Sequence, residues 1–464
     1  MKRLAIVVCL SWIGLFAVAD DAVQIAPLVE LEEEVYTYTA AENGAGPMWC
    51  SGSTSLVRSG DCVFVSGLET VPDAKPLNNC RWMLFTRNHD GWSRVHVDTD
   101  GRTREPSPLA AFADGRVFLS ANPTLNPTAY AGPAQPTVFQ FDSANLTAPP
   151  VELVSTWQDE PAFSEHSYRS FAADGKSGEL ILMQNIGYSH AEWSFLDKSG
   201  EWSAQGQIKW PWGAEYDEPK PVRLCYPNVA LRDRAVHFFG VSDVTEPNKD
   251  FREFKFKLTG QKWDYDFRRL FYTWTSDITK ELFGEWVEIA SRDETCGWLS
   301  PGDLWLAPNG DVHVVWTERA IDVRLREKFF PDARQSEALN YAVIREGKVI
   351  HRGSILKKDE GTPGIAGSAG RFHVTPDNRL FVVHLASGTD KNGDRVFENR
   401  IVEVMPDRTF GVPIPISFKK PFTSYFTTTV RAGSPQSWTL EMFGGQADTP
   451  RTLTYARVSL RKPE

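Results

Sequence analysis

A short polar turn followed by an alternating apolar strand recurs seven times along this chain of 464 residues. The clearest copies are Gly60-Asp61-Cys62 and Asp114-Gly115-Arg116 with the strands that follow them, and the weakest follows Ala432-Gly433. The first apolar strand positions are Cys62, Val117, Leu180, Val236, Val312, Leu380 and Trp438, at intervals of 55, 63, 56, 76, 68 and 58 residues. A period of this length is typical of one four-stranded propeller blade with loops of variable length.

Two further extended runs accompany each copy of the repeat. The runs that precede the turns are predicted to be the innermost strands, at residues 53–58, 109–113, 168–172, 228–232, 304–307, 371–375 and 427–431. Aromatic, alternating runs follow and are predicted to be third strands, at residues 82–86, 138–141, 193–196, 270–274, 339–343, 401–404 and 453–458. No helix of three turns with a clear 3.6-residue period is predicted after the N-terminal segment. The fold class is therefore all-β, a seven-bladed β-propeller.

The two ends of the repeat array predict how the ring closes. The last strand run ends near Leu460 with no fourth strand after it, whereas residues 35–38 form a strand without an obvious partner. Pairing the N-terminal strand with the last blade would remove an open sheet edge. We therefore predict a single propeller domain over residues 20–464, and the alternative is a stack of several sandwich domains.

The N-terminus carries the features of an export signal. Lys2 and Arg3 precede an apolar run at residues 4–18, and Ala17-Val18-Ala19 offers small residues for cleavage after Ala19. We expect residues 1–19 to be a signal peptide and the protein to be secreted or periplasmic. The apolar run is short for a membrane span, and no other segment is apolar enough to be one, so stable membrane insertion is not expected.

Export makes disulfide bonds possible, and the sequence suggests one of them. Without Cys9, which leaves with the signal, an odd number of cysteines remains, so at least one thiol is unpaired or pairs outside the chain. Cys225 and Cys296 precede the inner strands of adjacent blades at equivalent positions, and we predict that they form a disulfide. No Cys-x-x-Cys pair or other ligand spacing predicts a metal site, and no motif predicts a cofactor.

Charge limits the choice of partners. The chain has 60 acidic and 50 basic residues and a net charge of -10, with no block of Lys and Arg. A nucleic-acid surface is therefore not expected. A polyanionic substrate would require a locally positive pocket.

Polar turns with an aromatic residue follow several third strands. Examples are Asp90-Gly91-Trp92, Asp197-Lys198-Ser199-Gly200-Glu201-Trp202, Gly260-Gln261-Lys262-Trp263 and Pro406-Asp407-Arg408-Thr409-Phe410. They resemble the Asp-box or BNR turn of sialidase-like propellers, although the full Ser-x-Asp-x-Gly-x-x-Trp pattern is not met. The resemblance implies a secreted glycan-active propeller, in a group that includes sialidases, seven-bladed ulvan-lyase-like polysaccharide lyases and related glycosidases. The Phe/Tyr-Arg-Ile-Pro motif of sialidases is absent, which argues against sialic acid as substrate.

Propeller ligands gather at one mouth of the channel, on loops that enter the innermost strands and leave the second strands. In blade 3 these loops are Glu165-His166-Ser167-Tyr168-Arg169 and Gly187-Tyr188-Ser189-His190. Imidazoles and phenols can transfer protons and a guanidinium can clamp a carboxylate, which are the groups that β-elimination of a uronate requires. We therefore predict catalytic roles for His166, Arg169, Tyr188 and His190.

Loops of blades 3 to 6 add candidate substrate-binding residues. These are Tyr168, Tyr226, Trp298, Glu318, Arg319, Arg371 and His384. His237 and His313 occupy matching positions inside second strands, so we expect them to be structural.

Three functions are consistent with these residues. A polysaccharide lyase acting on a uronate-containing glycan is favoured, because the imidazole, phenol and guanidinium set is dense. A glycoside hydrolase would need two facing carboxylates, for which Glu165, Asp243 and Glu318 are the candidates. The third function is a glycan-binding or scaffold propeller without turnover.

Overall fold

The computed structural model describes residues 25–461, so the predicted signal peptide lies outside the described residues. Seven antiparallel sheets of four strands each, the blades, form a ring. Neighbouring blades contact each other through their innermost strands. Among residues 25–461, no helix is both long and apolar enough to cross a membrane.

The strands follow one another through the blades in chain order, except that the first strand belongs to the last blade. The first strand is β1 (Leu28–Thr37). Blade 1 comprises β2 (Leu56–Ser59), β3 (Cys62–Thr70), β4 (Cys80–Asn88) and β5 (Gly91–Val97). Blade 2 comprises β6 (Leu109–Ala111), β7 (Arg116–Ala121), β8 (Thr137–Asp142) and β9 (Val151–Val154). Blade 3 comprises β10 (Ser170–Asp174), β11 (Glu179–Ile186), β12 (His190–Leu196) and β13 (Trp202–Lys209).

Blade 4 carries two additional short sheets. One pairs β14 (Trp212–Gly213) with β15 (Lys220–Pro221), and the other pairs β18 (Val244–Thr245) with β19 (Tyr265–Asp266). The blade itself comprises β16 (Leu224–Arg232), β17 (Ala235–Ser242), β20 (Arg269–Thr275) and β21 (Val287–Ser291). Helix α1 (Lys249–Thr259) lies between β18 and β19, and a 3-10 turn (Asp293–Thr295) follows β21.

The last three blades have fewer insertions. Blade 5 comprises β22 (Trp298–Leu306), β23 (Val312–Arg319), β24 (Ser336–Arg345) and β25 (Lys348–Asp359), with the short helix α2 (Arg326–Phe329) after β23. Blade 6 comprises β26 (Ile365–Val374), β27 (Leu380–Thr389), β28 (Arg395–Val404) and β29 (Ile414–Ile416). Blade 7 comprises β30 (Phe422–Thr427), β31 (Thr439–Gln446) and β32 (Thr452–Ser459), and its outer strand is β1.

The predicted seven-bladed architecture is confirmed, with one shifted strand and one missed helix. The inner strand of blade 7 ends at Thr427, where the prediction had it begin. Helix α1 was not predicted because its apolar face is short, with Phe251, Phe254 and Leu258 set among charged residues. Capping and an ion pair add to its stability: the Asn248 side chain accepts a hydrogen bond from the Phe251 N–H at 3.0 Å, and the buried Lys255 pairs with Glu246 at 2.5 Å.

The N-terminal strand closes the ring as predicted. Strand β1 pairs antiparallel with β32 from Leu28 opposite Ser459 to Thr37 opposite Thr452. The ring of Tyr36 stacks on Phe85 at 5.2 Å, which joins the closing strand to blade 1. The first and last blades are thus held together both by a hydrogen-bonded ladder and by side-chain packing.

A segment that follows β30 crosses the channel at the mouth formed by the turns between inner and second strands. The Ala432 carbonyl accepts a hydrogen bond from Ala111 N–H of blade 2, and the Arg431 carbonyl accepts one from Ala173 N–H of blade 3, both at 2.9 Å. Gly433 (φ 84°) allows this close approach, since a Cβ there would collide with the Ala111 carbonyl. This segment, residues 428–437, therefore plugs one end of the channel.

Buried arginines bridge the innermost strands. Arg431 forms an ion pair with Asp303 of blade 5 at 2.8 Å, and both side chains are almost completely buried. Arg371 donates to the carbonyls of Gly302 and Tyr425 at 2.6 and 3.1 Å. Arg371 was predicted to bind substrate, but its burial between blades 5 and 7 gives it a structural role.

The predicted disulfide between Cys225 and Cys296 is wrong. All five cysteines within residues 25–461 are free thiols. Cys225 is fully buried, and the Cys296 sulfur accepts a hydrogen bond from Arg268 at 2.8 Å instead. The two thiols have different surroundings: Cys225 packs in the apolar core shared by blades 4 and 5, whereas Cys296, in the turn before β22, lies against Arg268 of blade 4.

Removing β1 should open the ring. Deletion of residues 28–37 leaves the β32 edge without a partner and exposes the apolar residues beneath Tyr36. We expect the Tm to fall by on the order of 10 °C or more, because several kcal/mol of pairing and burial are lost. Differential scanning calorimetry measures this change, and an unaltered transition would contradict the closure.

Candidate functional site

The candidate site lies at the mouth opposite the plug, where loops enter the inner strands of blades 1 to 4. The loop before blade 1 crosses this mouth. Its Ser53 hydroxyl donates to the Arg169 carbonyl at 3.3 Å and accepts from the Phe171 N–H at 3.1 Å, so the loop is held against blade 3. Trp49 of this loop is half-buried and forms an aromatic floor between blades 3 and 4.

The rings of blades 3 and 4 surround Trp49. Its centroid lies 5.3 Å from His166, 4.9 Å from Tyr168 and 6.0 Å from Tyr226. His166 and Tyr168 are in edge contact at 4.6 Å, and Tyr168 and Tyr226 at 5.4 Å. The imidazole and the two phenols therefore share one aromatic wall. We call these four residues, Trp49, His166, Tyr168 and Tyr226, the central cluster.

A buried carboxylate orients His166. Glu105 is fully buried, and its Oε1 lies 3.0 Å from His166 Nδ1. The backbone N–H and the hydroxyl of Ser167 also donate to Glu105, at 2.9 and 3.0 Å. Burial favours the neutral acid, but the bonds and charges of His166, Arg169 and Ser167 outweigh it and lower the pKa of Glu105. An ionised Glu105 accepts a hydrogen bond from the Nδ1–H of His166, and the tautomer that this bond favours has a free lone pair on Nε2.

The two tyrosines of the central cluster adopt unusual backbone conformations. Tyr168 has a φ of 44° and lies two residues before β10, and Tyr226 has a φ of 48° and lies at a register shift near the start of β16. Positive φ is costly for a bulky residue and persists only where surrounding contacts impose it. Burial raises the pKa of both phenols, so both hydroxyls keep their protons at neutral pH.

Arg223 lies beneath a second pair of tyrosines. Its guanidinium carbon is 3.7 Å from the centroid of Tyr188, 5.4 Å from Tyr168 and 5.8 Å from Tyr265. The Tyr188 and Tyr265 hydroxyls are hydrogen-bonded at 2.8 Å. Cation–π contacts of this kind hold a guanidinium against aromatic faces and keep water away from it. Arg223 thus connects the central cluster to Tyr188.

The arginines near the central cluster are matched by carboxylates. Arg223 pairs with Asp243 at 2.6 Å, where burial raises the pKa of Asp243, and Arg104 lies 3.9 Å from Glu165.

Arg169 has a side chain that is almost completely buried, and its Nη2 donates to the backbone carbonyls of Glu105 and Pro106. Arg169 was expected to clamp a substrate carboxylate, but this burial removes it from contact with a ligand.

His190 differs from His166 in having both nitrogens engaged. Nε2 lies 2.8 Å from the buried Glu192, and Nδ1 lies 2.7 Å from the Ser189 hydroxyl. Tyr188, from the same hairpin, is exposed and reaches Arg223. The structure therefore brings His166, Tyr168, Tyr226 and Tyr188 to one region through Trp49 and Arg223, and gives His190 a separate set of partners.

The candidates of blades 5 and 6 are not members of the central cluster, although Phe267 of the blade 5 cleft lies 6.1 Å from the Tyr226 ring. The Arg319 guanidinium stacks on Trp298 at 4.9 Å, and both residues line a cleft of about 460 Å³. Glu318 is buried and accepts hydrogen bonds from Arg292, Trp316 and Asn340. His384 is completely buried in the second strand of blade 6, so the substrate-binding role predicted for it is not compatible with its position.

Three residues of the site were missed in the sequence. Trp49 and Glu105 belong to connections that precede the inner strands of blades 1 and 2, and Arg223 immediately precedes the inner strand of blade 4. Each therefore lies in a segment that enters an inner strand, as the blade 3 candidates His166, Tyr168 and Arg169 do. Applying the blade 3 criterion to every blade would have found them.

No protein-family model matches the chain, and no curated protein matches it. Two solved structures share its fold over nearly the whole length. One is an ulvan lyase of polysaccharide lyase family PL25, bound to -[GlcA(1-4)Rha3S]-, with 10% identity, a TM-score of 0.55, and 93% of this chain and 96% of that chain covered. The other is the polysaccharide lyase Uly1, with 13% identity, a TM-score of 0.51, and 93% and 94% covered. At these identities the likeness establishes the fold alone.

Buried histidines should make the stability of the fold depend on pH. Burial lowers the pKa of His384 from its ordinary value of 6.5 to about 4, and that of His313 and His373 to about 4. Because the unfolded chain binds these protons at higher pH than the folded chain, stability is full above about pH 6.5 and falls as the pH approaches 4. Between pH 7 and about pH 4.5, the Tm of the His384→Leu variant should therefore decrease by less than the Tm of the parent protein.

Thermal unfolding followed by circular dichroism at several pH values measures this slope. The control is His89→Gln, since the His89 side chain is 87% exposed and its replacement should leave the slope unchanged. An equal slope for His384→Leu and the parent protein would contradict the assignment of a buried neutral imidazole.

Proposed function

We propose that this propeller is a polysaccharide lyase that cleaves a uronate-containing glycan by β-elimination. The observation that carries the proposal is the His166–Glu105 pair, which leaves Nε2 free beside the phenols of the central cluster. We further propose that it is secreted, which the predicted signal peptide supports, and that it is of the BNR-repeat, sialidase-like type, which the Asp-box-like turns support. The fold shared with two polysaccharide lyases is consistent with this function.

In the proposed reaction, Nε2 of His166 takes the proton from C5 of the uronate. The electron pair of that C–H bond forms the C4–C5 double bond as the bond from C4 to the glycosidic oxygen breaks. The Tyr226 hydroxyl gives its proton to the departing oxygen. Its raised pKa means that the phenol is protonated before the reaction begins, as a general acid must be.

Negative charge develops on the uronate carboxylate when the C5 proton leaves. Arg223 is the cation that borders the central cluster, with its guanidinium carbon 5.4 Å from the Tyr168 centroid. Its side chain is only 5% exposed, so its field is poorly screened by water, and Asp243 at 2.6 Å offsets part of the guanidinium charge. We assign Arg223 the neutralising role that the sequence suggested for Arg169.

The carboxylates argue against the hydrolase alternative. A hydrolase needs two carboxyl groups that reach the same glycosidic bond. Asp243 is 1% exposed and paired with Arg223. Glu318 is 7% exposed and accepts hydrogen bonds from three side chains. Glu105 is fully buried. Glu165 is 8% exposed, so all three candidates named from the sequence are buried, and each is paired with an arginine.

Loss of the base should abolish elimination without unfolding the protein. We expect His166→Gln and Tyr226→Phe each to lower turnover by about 10²-fold or more, the lower end of what a positioned acid or base contributes. The assay is the rise in ultraviolet absorbance of the conjugated double bond on a panel of uronate polymers. His89→Gln, on the exposed turn of blade 1, is the matched control and should keep full activity.

Two results would contradict the proposal. A flat absorbance trace on every uronate polymer, combined with measurable binding, would indicate a glycan-binding propeller without turnover. A larger loss of turnover in His190→Gln than in His166→Gln would indicate that His190, and not His166, is the general base.

A further inference from the structure

A second cavity lies outside the central cluster, between the two short sheets of blade 4. Its volume is about 610 Å³, and its walls include Tyr188, Lys220, Thr245, Trp263 and Tyr265. Sheet β14/β15 supplies Lys220, and sheet β18/β19 supplies Thr245 and Tyr265. We call this cavity the outer pocket. A volume of this size accommodates one or two sugar residues.

The outer pocket presents exposed aromatic faces. Trp263 is 69% exposed and Tyr188 is 46% exposed, although rings of this size are usually largely buried in folded proteins. Exposed rings lining a concave surface are typical of ligand sites, because they offer a large apolar face at low cost in side-chain entropy. The C–H face of a pyranose is flat and apolar and fits against such a ring.

Lys220 differs from the arginines near the central cluster because no carboxylate compensates it. Its Nζ donates one long hydrogen bond, 3.5 Å, to the Thr245 carbonyl. Among the ion pairs within residues 25–461, Lys220 has no partner, whereas Arg104 and Arg223 each have one. Because Lys220 lines a cavity beside exposed aromatic rings, an anionic group bound in that cavity would find a complementary charge.

The outer pocket and the central cluster share a wall. Tyr188 covers Arg223 with one face, and its hydroxyl is hydrogen-bonded to Tyr265, which lines the outer pocket. A chain lying across the central cluster would therefore pass from Trp49 over Tyr188 toward Trp263. The outer pocket lies on the path of a polymer rather than at an unrelated surface.

We propose that the outer pocket binds an anionic sugar residue of the same polymer, with its ring on Trp263 and its negative group on Lys220. That this polymer is also the one cleaved rests on the proposed function. Binding in the outer pocket does not require turnover. The negative group is a carboxylate or a sulfate ester, since both present anionic oxygens to an ammonium.

Binding without turnover tests the proposal directly. The parent is the full-length His166→Gln variant, and the probes are polygalacturonate for carboxylates, carrageenan for sulfate esters and dextran as a neutral polymer. Affinity electrophoresis measures each dissociation constant. Lys220→Gln should weaken binding of the anionic polymer about tenfold, as expected when one charge-assisted hydrogen bond is lost. Trp263→Ala should weaken it to a similar extent.

The matched control is Lys176→Gln at the plugged mouth, where the lysine is exposed and lines a different cavity. Unchanged binding by this variant, together with the losses above and weaker binding in high salt, supports the outer pocket. Selective loss for polygalacturonate identifies a carboxylate, and selective loss for carrageenan identifies a sulfate ester.

Several results would overturn the inference. These are equal affinity of Lys220→Gln and its parent for both anionic polymers, an equal loss in Lys176→Gln, and dextran binding as tight as that of the anionic polymers. Failure of the proposed function is distinguishable from these results. A wild-type protein that cleaves no polymer yet binds one through Lys220 and Trp263 would retain the outer pocket and lose the lyase assignment.

Discussion

The ladder between β1 and β32 determines whether the other blades can hold their positions. Each propeller blade packs one face of its sheet against the blade before it and the other face against the blade after it. If the ring were open, the first and the last blade would each expose an apolar face to water. The first strand of the chain completes the last sheet, and Tyr36 carries the packing on to blade 1. Closure brings the seven inner strands around one axis, where their carbonyls and N–H groups must find partners.

The two ends of that axis are filled differently. At one end, residues 428–437 bond to blades 2 and 3, and the Arg431–Asp303 pair anchors them to blade 5. At the other end, the loop that carries Trp49 is held by Ser53 against blade 3. Residues 428–437 fill one mouth of the channel with hydrogen-bonded backbone. At the opposite mouth, around Trp49, side chains of several blades face one another. The buried Glu105 then orients His166 at that mouth.

The repeat predicted the architecture well because the inner and second strands are almost entirely buried and therefore form short apolar runs on either side of each turn. The fourth strands are exposed and have no comparable signal. Helix α1 was missed because its apolar face is short, and because the cap and the Lys255–Glu246 pair that add to its stability leave no comparable periodic signal.

The site was predicted in part. The position of the loops predicted that His166, Tyr168, Tyr188 and Tyr226 share one region, but it could not show which arginine lies against the aromatic rings. Arg169 and Arg223 both precede inner strands, yet Arg169 bonds to backbone carbonyls and Arg223 lies under tyrosine rings. Which of two arginines meets a ligand depends on contacts between blades, and these are not encoded in the spacing of one segment.

The most direct test of the account is a crystal structure of the His166→Gln variant with a bound uronate oligosaccharide. The account predicts that a uronate ring lies on Trp49 with its C5 facing residue 166, its glycosidic oxygen within hydrogen-bond reach of the Tyr226 hydroxyl and its carboxylate turned toward Arg223. An oligosaccharide bound only at the plugged mouth or only at the Trp298 cleft, with the central cluster untouched, would contradict it.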